Sequence, residues 1–326
     1  MKLMSRALVA FGLCIATLHG VSAQALFPEK PIRIIVPYST GGSSDQLART
    51  ISEAMAADLG QPVIVENRVG AGSMIGTAHA AGQPADGHTL LLADVPFTIV
   101  AALYAGRLKY DPRKDLAPVA LLGESPMYLF VTAGSKAGSL SDVLRASKER
   151  PGQVTIGSGG NGSLTHLMAE LLMLNAGIRL AHVPYKGAAA AMSDLAGGQV
   201  EASFSSMASA IAVFNAGKVR PLAVSAPMRE AAHPQVPTFR ELGLDRMTVQ
   251  NWWGVMLPSG TPADRVQRLE QSLVKIVASP AFAQRIAASG ISLPQTAARE
   301  HFAKLLEEDF ARWQDLVTRA DIKVSQ

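Results

Sequence analysis

Two short stretches concentrate the residues whose types and spacing could do chemistry. One is Pro37-Tyr38-Ser39-Thr40-Gly41-Gly42-Ser43-Ser44-Asp45, the other Gly157-Ser158-Gly159-Gly160-Asn161-Gly162-Ser163-Leu164-Thr165-His166. Each sits between a short strand-like run and a segment with helical apolar spacing, so each reads as a loop joining a strand to a helix N-terminus. Glycine lets backbone N–H groups approach a ligand with no side chain in the way. A helix start adds free N–H donors and positive dipole potential, and Ser and Thr hydroxyls add further donors. Together these make an anion site without a fixed cation. The same residues also suit plain helix capping, by Ser43, Ser44 or Asp45 in the first loop and by Ser163 or Thr165 in the second. Two such loops in two similar units favour the anion site.

Other constellations fail. Gly157-Ser158-Gly159-Gly160-Asn161-Gly162 matches G-x-G-x-x-G, but a dinucleotide site wants an acid at the end of the next strand. That strand runs into His182-Val183-Pro184-Tyr185-Lys186-Gly187, and Asp194 is the first acid beyond it. No Walker sequence and no G-x-S-x-G elbow occur. His79 and His88 have no partner at metal-ligand spacing, so neither metal nor cofactor is expected. His166 sits one turn into its helix, placed either to reach a carboxylate or to pack. Asn251-Trp252-Trp253 suits a pocket wall, or the Trp pair a place in the core.

The elements that must position these loops alternate along the chain. Ile32–Val36 is strand-like, and Gln46–Leu59 repeats Leu47, Ile51, Met55 and Leu59 at spacings of four, a helix with one buried stripe that Gly60 ends. Strands are predicted at 63–66, 89–93, 119–122, 127–131, 154–157, 180–183, 202–205 and 219–225, with Gly123-Glu124-Ser125-Pro126 separating the fourth from the fifth. Helices are predicted at 73–81, 139–148 (opened by a Ser139…Asp142 capping box), 164–175, 188–196, 208–216, 263–277, 280–287 and 297–320. Alternation of this kind predicts mostly parallel sheets with helices on both faces, and ligands then sit off the carboxyl ends of the strands.

The 326 residues are 48% apolar and only 17% charged, which excludes a disordered chain and allows two domains. Residues 1–25 read as a secretory signal: Lys2 and Arg6, an apolar run from Ala7 to Leu18, then small residues at Val21-Ser22-Ala23 and Ala23-Gln24-Ala25. Cleavage there removes Cys14, the sole cysteine, and with it any disulfide or thiolate chemistry. The formal charge of +4 falls to +2 without Lys2 and Arg6, and the remaining cations form no run, so nucleic acid is not an expected partner.

The ordered set Ile35-Val36-Pro37 with Gly41-Gly42 and Asp45, Gly60-Gln61-Pro62-Val63-Ile64-Val65-Glu66-Asn67-Arg68, Gly70-Ala71-Gly72, Ala85-Asp86-Gly87-His88-Thr89-Leu90, Tyr110-Asp111-Pro112, Gly159 to Ser163 with His166, and His182-Val183-Pro184-Tyr185-Lys186-Gly187 resembles the Bug family. These are periplasmic solute receptors of tripartite tricarboxylate transporters. The resemblance implies an α/β, two-lobed Venus-flytrap fold of the type II-like periplasmic binding proteins, crossed twice by the chain. Crossings near Ser125 and Ser225 would put 26–124 and 226–326 in one lobe and 125–225 in the other. It further implies a ligand carboxylate held by Tyr38, Thr40, Gly41, Gly42 and Ser43 and by Ser158, Asn161, Gly162, Ser163 and His166, with Asp94, Val95, Ser206 and Met207 completing the cleft. The chain departs from the family at Thr40, where Pro is usual, and at Ser205-Ser206, where many members carry Asp-Asn.

The resulting expectation is a periplasmic, monomeric, non-catalytic receptor that captures a small organic carboxylate (a dicarboxylate, tricarboxylate, acidic amino acid or aromatic acid) for a membrane transporter. Four or five charge-assisted hydrogen bonds contribute roughly 6–15 kcal/mol before ordering costs, and micromolar binding needs about 8 kcal/mol. The alternatives are a ligand-presenting subunit for a membrane kinase and an exported α/β oxidoreductase or hydrolase.

Overall fold

The computed structural model describes residues 27–287 and 289–322; the expected signal, residues 1–25 with Cys14, lies outside them. Strand β1 (Ile32–Val36) is buried at four of its five positions. Helix α1 (Ser43–Leu59) follows, its predicted stripe turned inward, and Gly60 ends it at φ 71° with its N–H on the Ala56 carbonyl. Then come β2 (Val63–Asn67), α2 (Met74–Ala81), the wholly buried β3 (Thr89–Asp94), α3 (Pro96–Leu103) and the long β4 (Leu116–Thr132). The middle of the chain forms α4 (Leu140–Glu149), β5 (Thr155–Ser158), α5 (Leu164–Ala176), β6 (Ala181–Pro184), α6 (Ala188–Ala196), β7 (Ala202–Ser206), α7 (Met207–Asn215) and β8 (Val219–Val224). The last elements are β9 (Gln250–Pro258), α8 (Ala263–Val277), α9 (Pro280–Ala287) and α10 (Arg299–Arg319).

The strands join in the order β2-β1-β3-β9-β4-β7-β5-β6, with β8 also on β4. Half of the pairings are parallel, β1 with β2 and β3, and β5 with β6 and β7. The others are antiparallel, β9 with β3 and β4, and β4 with β7 and β8. The expectation of mostly parallel sheets is therefore corrected. Strands β4 and β9 run against each other through the centre, because one carries the chain out of the first strand group and the other brings it back.

The two strands expected on either side of Gly123-Glu124-Ser125-Pro126 are one strand. Leu116–Pro126 pairs with β9 and Met127–Thr132 pairs with β7 and β8, so the partner changes between Pro126 and Met127. The punctuating residues fall where the register shifts or the partner changes, between Pro118 and Ala120, between Leu121 and Gly123, and at Pro126.

Trp252 and Trp253 on β9 are core residues, 0% and 6% exposed. Their indole N–H groups donate to Asp309 Oδ2 at 2.7 Å and to Ser44 Oγ at 3.0 Å. Trp252 meets Phe302 edge-on at 5.2 Å, and α10 lays Phe302, Phe310 and Trp313 inward. Helix α10 thus covers α3 and β4.

Candidate functional site

The site is built by helix starts. After β3 the chain passes Asp94 and Val95 directly into α3, with Pro96 as its first residue, a position that loses no helical hydrogen bond. Ser163 caps α5, its Oγ accepting the His166 N–H at 3.3 Å, and Ser206 caps α7, its Oγ accepting the Ser209 N–H at 3.3 Å. Such caps leave the N–H groups of Leu164, Thr165, Met207 and Ala208 without a helical acceptor. The starts of α3, α5, α6 and α7 meet at a cleft of about 260 Å³, lined by Asp94, Pro96, Met127, Gly159, Ser163, Leu164, Thr165, Ala188, Ser206, Ser209 and Asn251. Among the described residues, no Lys, Arg or His lines it. Larger grooves lie elsewhere, one of about 590 Å³ among Arg240, Arg246, Arg312, Arg319 and three acids. They lack converging helix starts and are edged by paired charges, so the smaller cleft is the better candidate for a small anion.

The second glycine loop is held by its own side chains. The N–H of Gly159 donates to Thr165 Oγ1 at 2.7 Å, that of Gly160 to Ser158 Oγ at 3.1 Å, and that of Gly162 to His166 Nδ1 at 3.1 Å. His166 is 8% exposed, stacks on His182 at 4.1 Å, and places Nε2 3.4 Å from Glu170 Oε1. His182 lies 2.6 Å from Ser158 Oγ. Burial, then the neighbouring His166, lowers its pKa to about 4. The donors left for a ligand are thus the first-turn N–H groups and the Ser and Thr hydroxyls rather than the glycine amides.

The first loop is pinned in a similar way. Asp45 accepts the Gly41 N–H at 2.9 Å, Asn67 Nδ2 at 2.9 Å and Arg49 Nε at 3.0 Å. The Arg49 bond, helped by Gly41 and Asn67 against the cost of burial, holds the carboxyl at about 2. Gly42 caps α1 with no side-chain bond, so the N–H groups of Ser43 and Ser44 are also free of helical partners. The Tyr38 hydroxyl donates to Asp94 Oδ1, and Ser44 Oγ lies 3.5 Å from Asp94 Oδ2. Burial raises Asp94 to about 7, with the Tyr38 and Ser44 bonds pulling the other way. Burial, then the Asp94 charge, raises the Tyr38 phenol well above its ordinary value.

Of the residues expected from the sequence, Asp94, Ser163 and Ser206 lie on the cleft wall. Tyr38 stands behind Asp94, and Val95 is fully buried. Thr40, Gly41, Gly42 and Ser43 are exposed, as is Asn161 with Gly162 half-buried beside it, and none of these lines the cleft. Ser158 and His166 brace the second loop from beneath, and Met207 begins α7. Met127, Ala188, Ser209 and Asn251 also line the opening. Ser209 was legible as the fourth member of Ser206-x-x-Ser209, a capping spacing; Asn251 stands beside the Trp pair that the sequence offered as a pocket wall, and Met127 carried no local signal.

Comparison with known proteins places this architecture. The family model described as "Tripartite tricarboxylate transporter family receptor", TctC, matches residues 47–322. The protein BugT of Bordetella pertussis is 34% identical over 98% of this chain and 99% of its own. MatC of Rhodopseudomonas palustris, solved with bound malate, is 31% identical with a TM-score of 0.74, covering 89% of this chain and 100% of that one. A second R. palustris protein, solved with adipate, is 28% identical with a TM-score of 0.76, covering 91% and 99%. These are solute-binding receptors rather than enzymes, and the fold they share is the two-lobed one of periplasmic binding proteins. With nearly the whole chain matched and its cleft set among helix starts, the protein belongs to the TctC family of tripartite tricarboxylate transporter receptors.

Proposed function

We propose that the protein binds a small organic carboxylate in the cleft between its lobes and delivers it to the membrane subunits of a tripartite transporter. The observation that carries this reading is the convergence of the capped starts of α5 and α7 on a cleft with no cation in its lining among the described residues. Free N–H groups and dipole potential at helix starts favour a negative headgroup. Relatives solved with malate and adipate support the same class of ligand. An opening of about 260 Å³ suits a small acid. The lobes would comprise 26–124 with 226–326, and 125–225, a division supported by the partner change within β4. Closure of the lobes on ligand would present one conformation to the transporter. TctC receptors are periplasmic, and residues 1–25 would supply the export signal.

Titration calorimetry against mono-, di- and tricarboxylates and amino acids tests the reading. Micromolar binding of at least one acid is expected. A neutral or cationic solute binding micromolar while every acid stays weaker than millimolar would overturn it.

A further inference from the structure

Asp94 is an unusual residue to find in a receptor cleft for an anion. It is 8% exposed and lines the opening together with the starts of α5 and α7. Its bonded neighbours are neutral donors: the Tyr38 hydroxyl from the loop after β1, and Ser44 Oγ from α1, which itself accepts Trp253 Nε1 from β9. Behind Tyr38 lies the phenol of Tyr110. Ser163, Thr165, Ser206 and Ser209 share the lining with Asp94, and none of these groups is a cation. Among the described residues, Asp94 is the one acidic side chain on a lining otherwise built mainly from helix starts, whose dipoles favour negative charge.

We propose that Asp94 is a specificity-determining residue, pairing with the far end of a bound carboxylate only through a shared proton: one brought by the ligand as a hydroxyl or an ammonium, or one taken up from solution, on either carboxyl, when the far end is itself a carboxylate. The inference rests on the carboxylate reading above and narrows it. One carboxylate is held at the helix starts. A second, ionised one would meet Asp94 at close range with no counter-charge, and like charges sharing such a site force one of them to keep a proton. A fully ionised dicarboxylate therefore binds together with a proton. A hydroxy or amino acid of the same length needs none, because its far end already donates. The burial that raises Asp94 to about 7 makes that proton available near neutrality.

The test uses two matched sets. One is butyrate, 4-hydroxybutyrate, 4-aminobutyrate and succinate; the other is hexanoate, 6-hydroxyhexanoate, 6-aminohexanoate and adipate. Each is titrated calorimetrically at pH 8 and pH 6.5, in two buffers of different ionisation enthalpy, so that proton exchange is read directly. At pH 8 the hydroxy and amino acids are expected to bind about tenfold more tightly than the diacid of their set. The diacid takes up nearly one proton and gains about five- to tenfold in affinity at pH 6.5. Asp94→Asn binds the diacid without proton uptake and with flat pH dependence. A diacid that binds wild type at pH 8 with no proton uptake, and no more weakly than its hydroxy counterpart, overturns the role of Asp94 while leaving the carboxylate reading intact. Failure of both sets and of the wider panel of acids overturns both. The wild-type proton count stands even where Asp94→Asn folds poorly.

Discussion

Ser225 Oγ accepts the Met127 N–H at 2.8 Å and donates to the carbonyl of Val249. Backbone bonds double the tie, Ser225 N–H to the Met127 carbonyl at 2.8 Å and Val249 N–H to the Ser225 carbonyl at 3.2 Å. One wholly buried residue thus joins the end of β8, the point where β4 changes partners, and the approach to β9.

Ser225→Ala leaves a buried N–H and a buried carbonyl each short of a partner. The expected loss is about 1–3 kcal/mol of stability. It should appear in urea unfolding as a lower midpoint with an unchanged slope.

Ser206→Asp separates binding from folding. Aspartate caps a helix as well as serine does and suits the dipole of α7, so the thermal midpoint should hold or rise slightly. In the cleft, however, it faces the ligand carboxylate, and like charges about 4 Å apart near a protein surface repel by about 4 kcal/mol. A loss of at least about tenfold in affinity is expected by calorimetry, with Ser206→Asn as the neutral control.

Asp45 gives a pH signature. Its folded pKa of about 2 lies below the ordinary 3.8, through Arg49 above all. Its contribution, on the order of 2 kcal/mol, is present above about pH 4 and is lost as pH falls towards 2. Asp45→Asn should therefore be less stable than wild type at pH 7 and nearly equal to it at pH 2, read from urea midpoints at both.

Gly254→Ala tests the packing of α10 on β9. A Cβ there would stand 2.2 Å from Phe302 Cζ, with two more ring atoms inside 3 Å. Phe302 is fully buried and has nowhere to turn. Overpacking should cost about 1–3 kcal/mol or more. Gly41→Ala, at φ +86° with nothing within 4 Å of its Cβ, carries only backbone strain of about 1–2 kcal/mol. Thermal midpoints of the two variants should rank accordingly.

Local chemistry was the legible part of this chain. The stripe of Leu47, Ile51, Met55 and Leu59 shows α1 in any window of the sequence, and Ser139 with Asp142 forms the reciprocal cap that their spacing announces. Helix α3 and strand β9 were not legible. Phe97, Thr98, Ile99, Val100, Ala102 and Leu103 are all buried, and β9 is buried from Trp252 to Pro258, so neither has an exposed face to mark its period. Gly123-Glu124-Ser125-Pro126 read as a break because the same residues serve as bulge, partner change and turn, and only the paired strand tells which. At the site, glycine and serine marked the two loops, and Asp94, Ser163 and Ser206 lie on the cleft wall. Asn251, beside the Trp pair, was readable as a pocket wall, whereas Met127 reaches the site from a strand whose partners come only after the chain has crossed and returned, a non-local event that no window of sequence contains.

The cover that α10 lays over α3 and β4 bears on how such a chain is made. Trp252 finds its acceptor, Asp309, on that late helix, and Phe97 finds Phe310 there. A nascent polypeptide cannot finish the packing around its early strands until α10 has been synthesised.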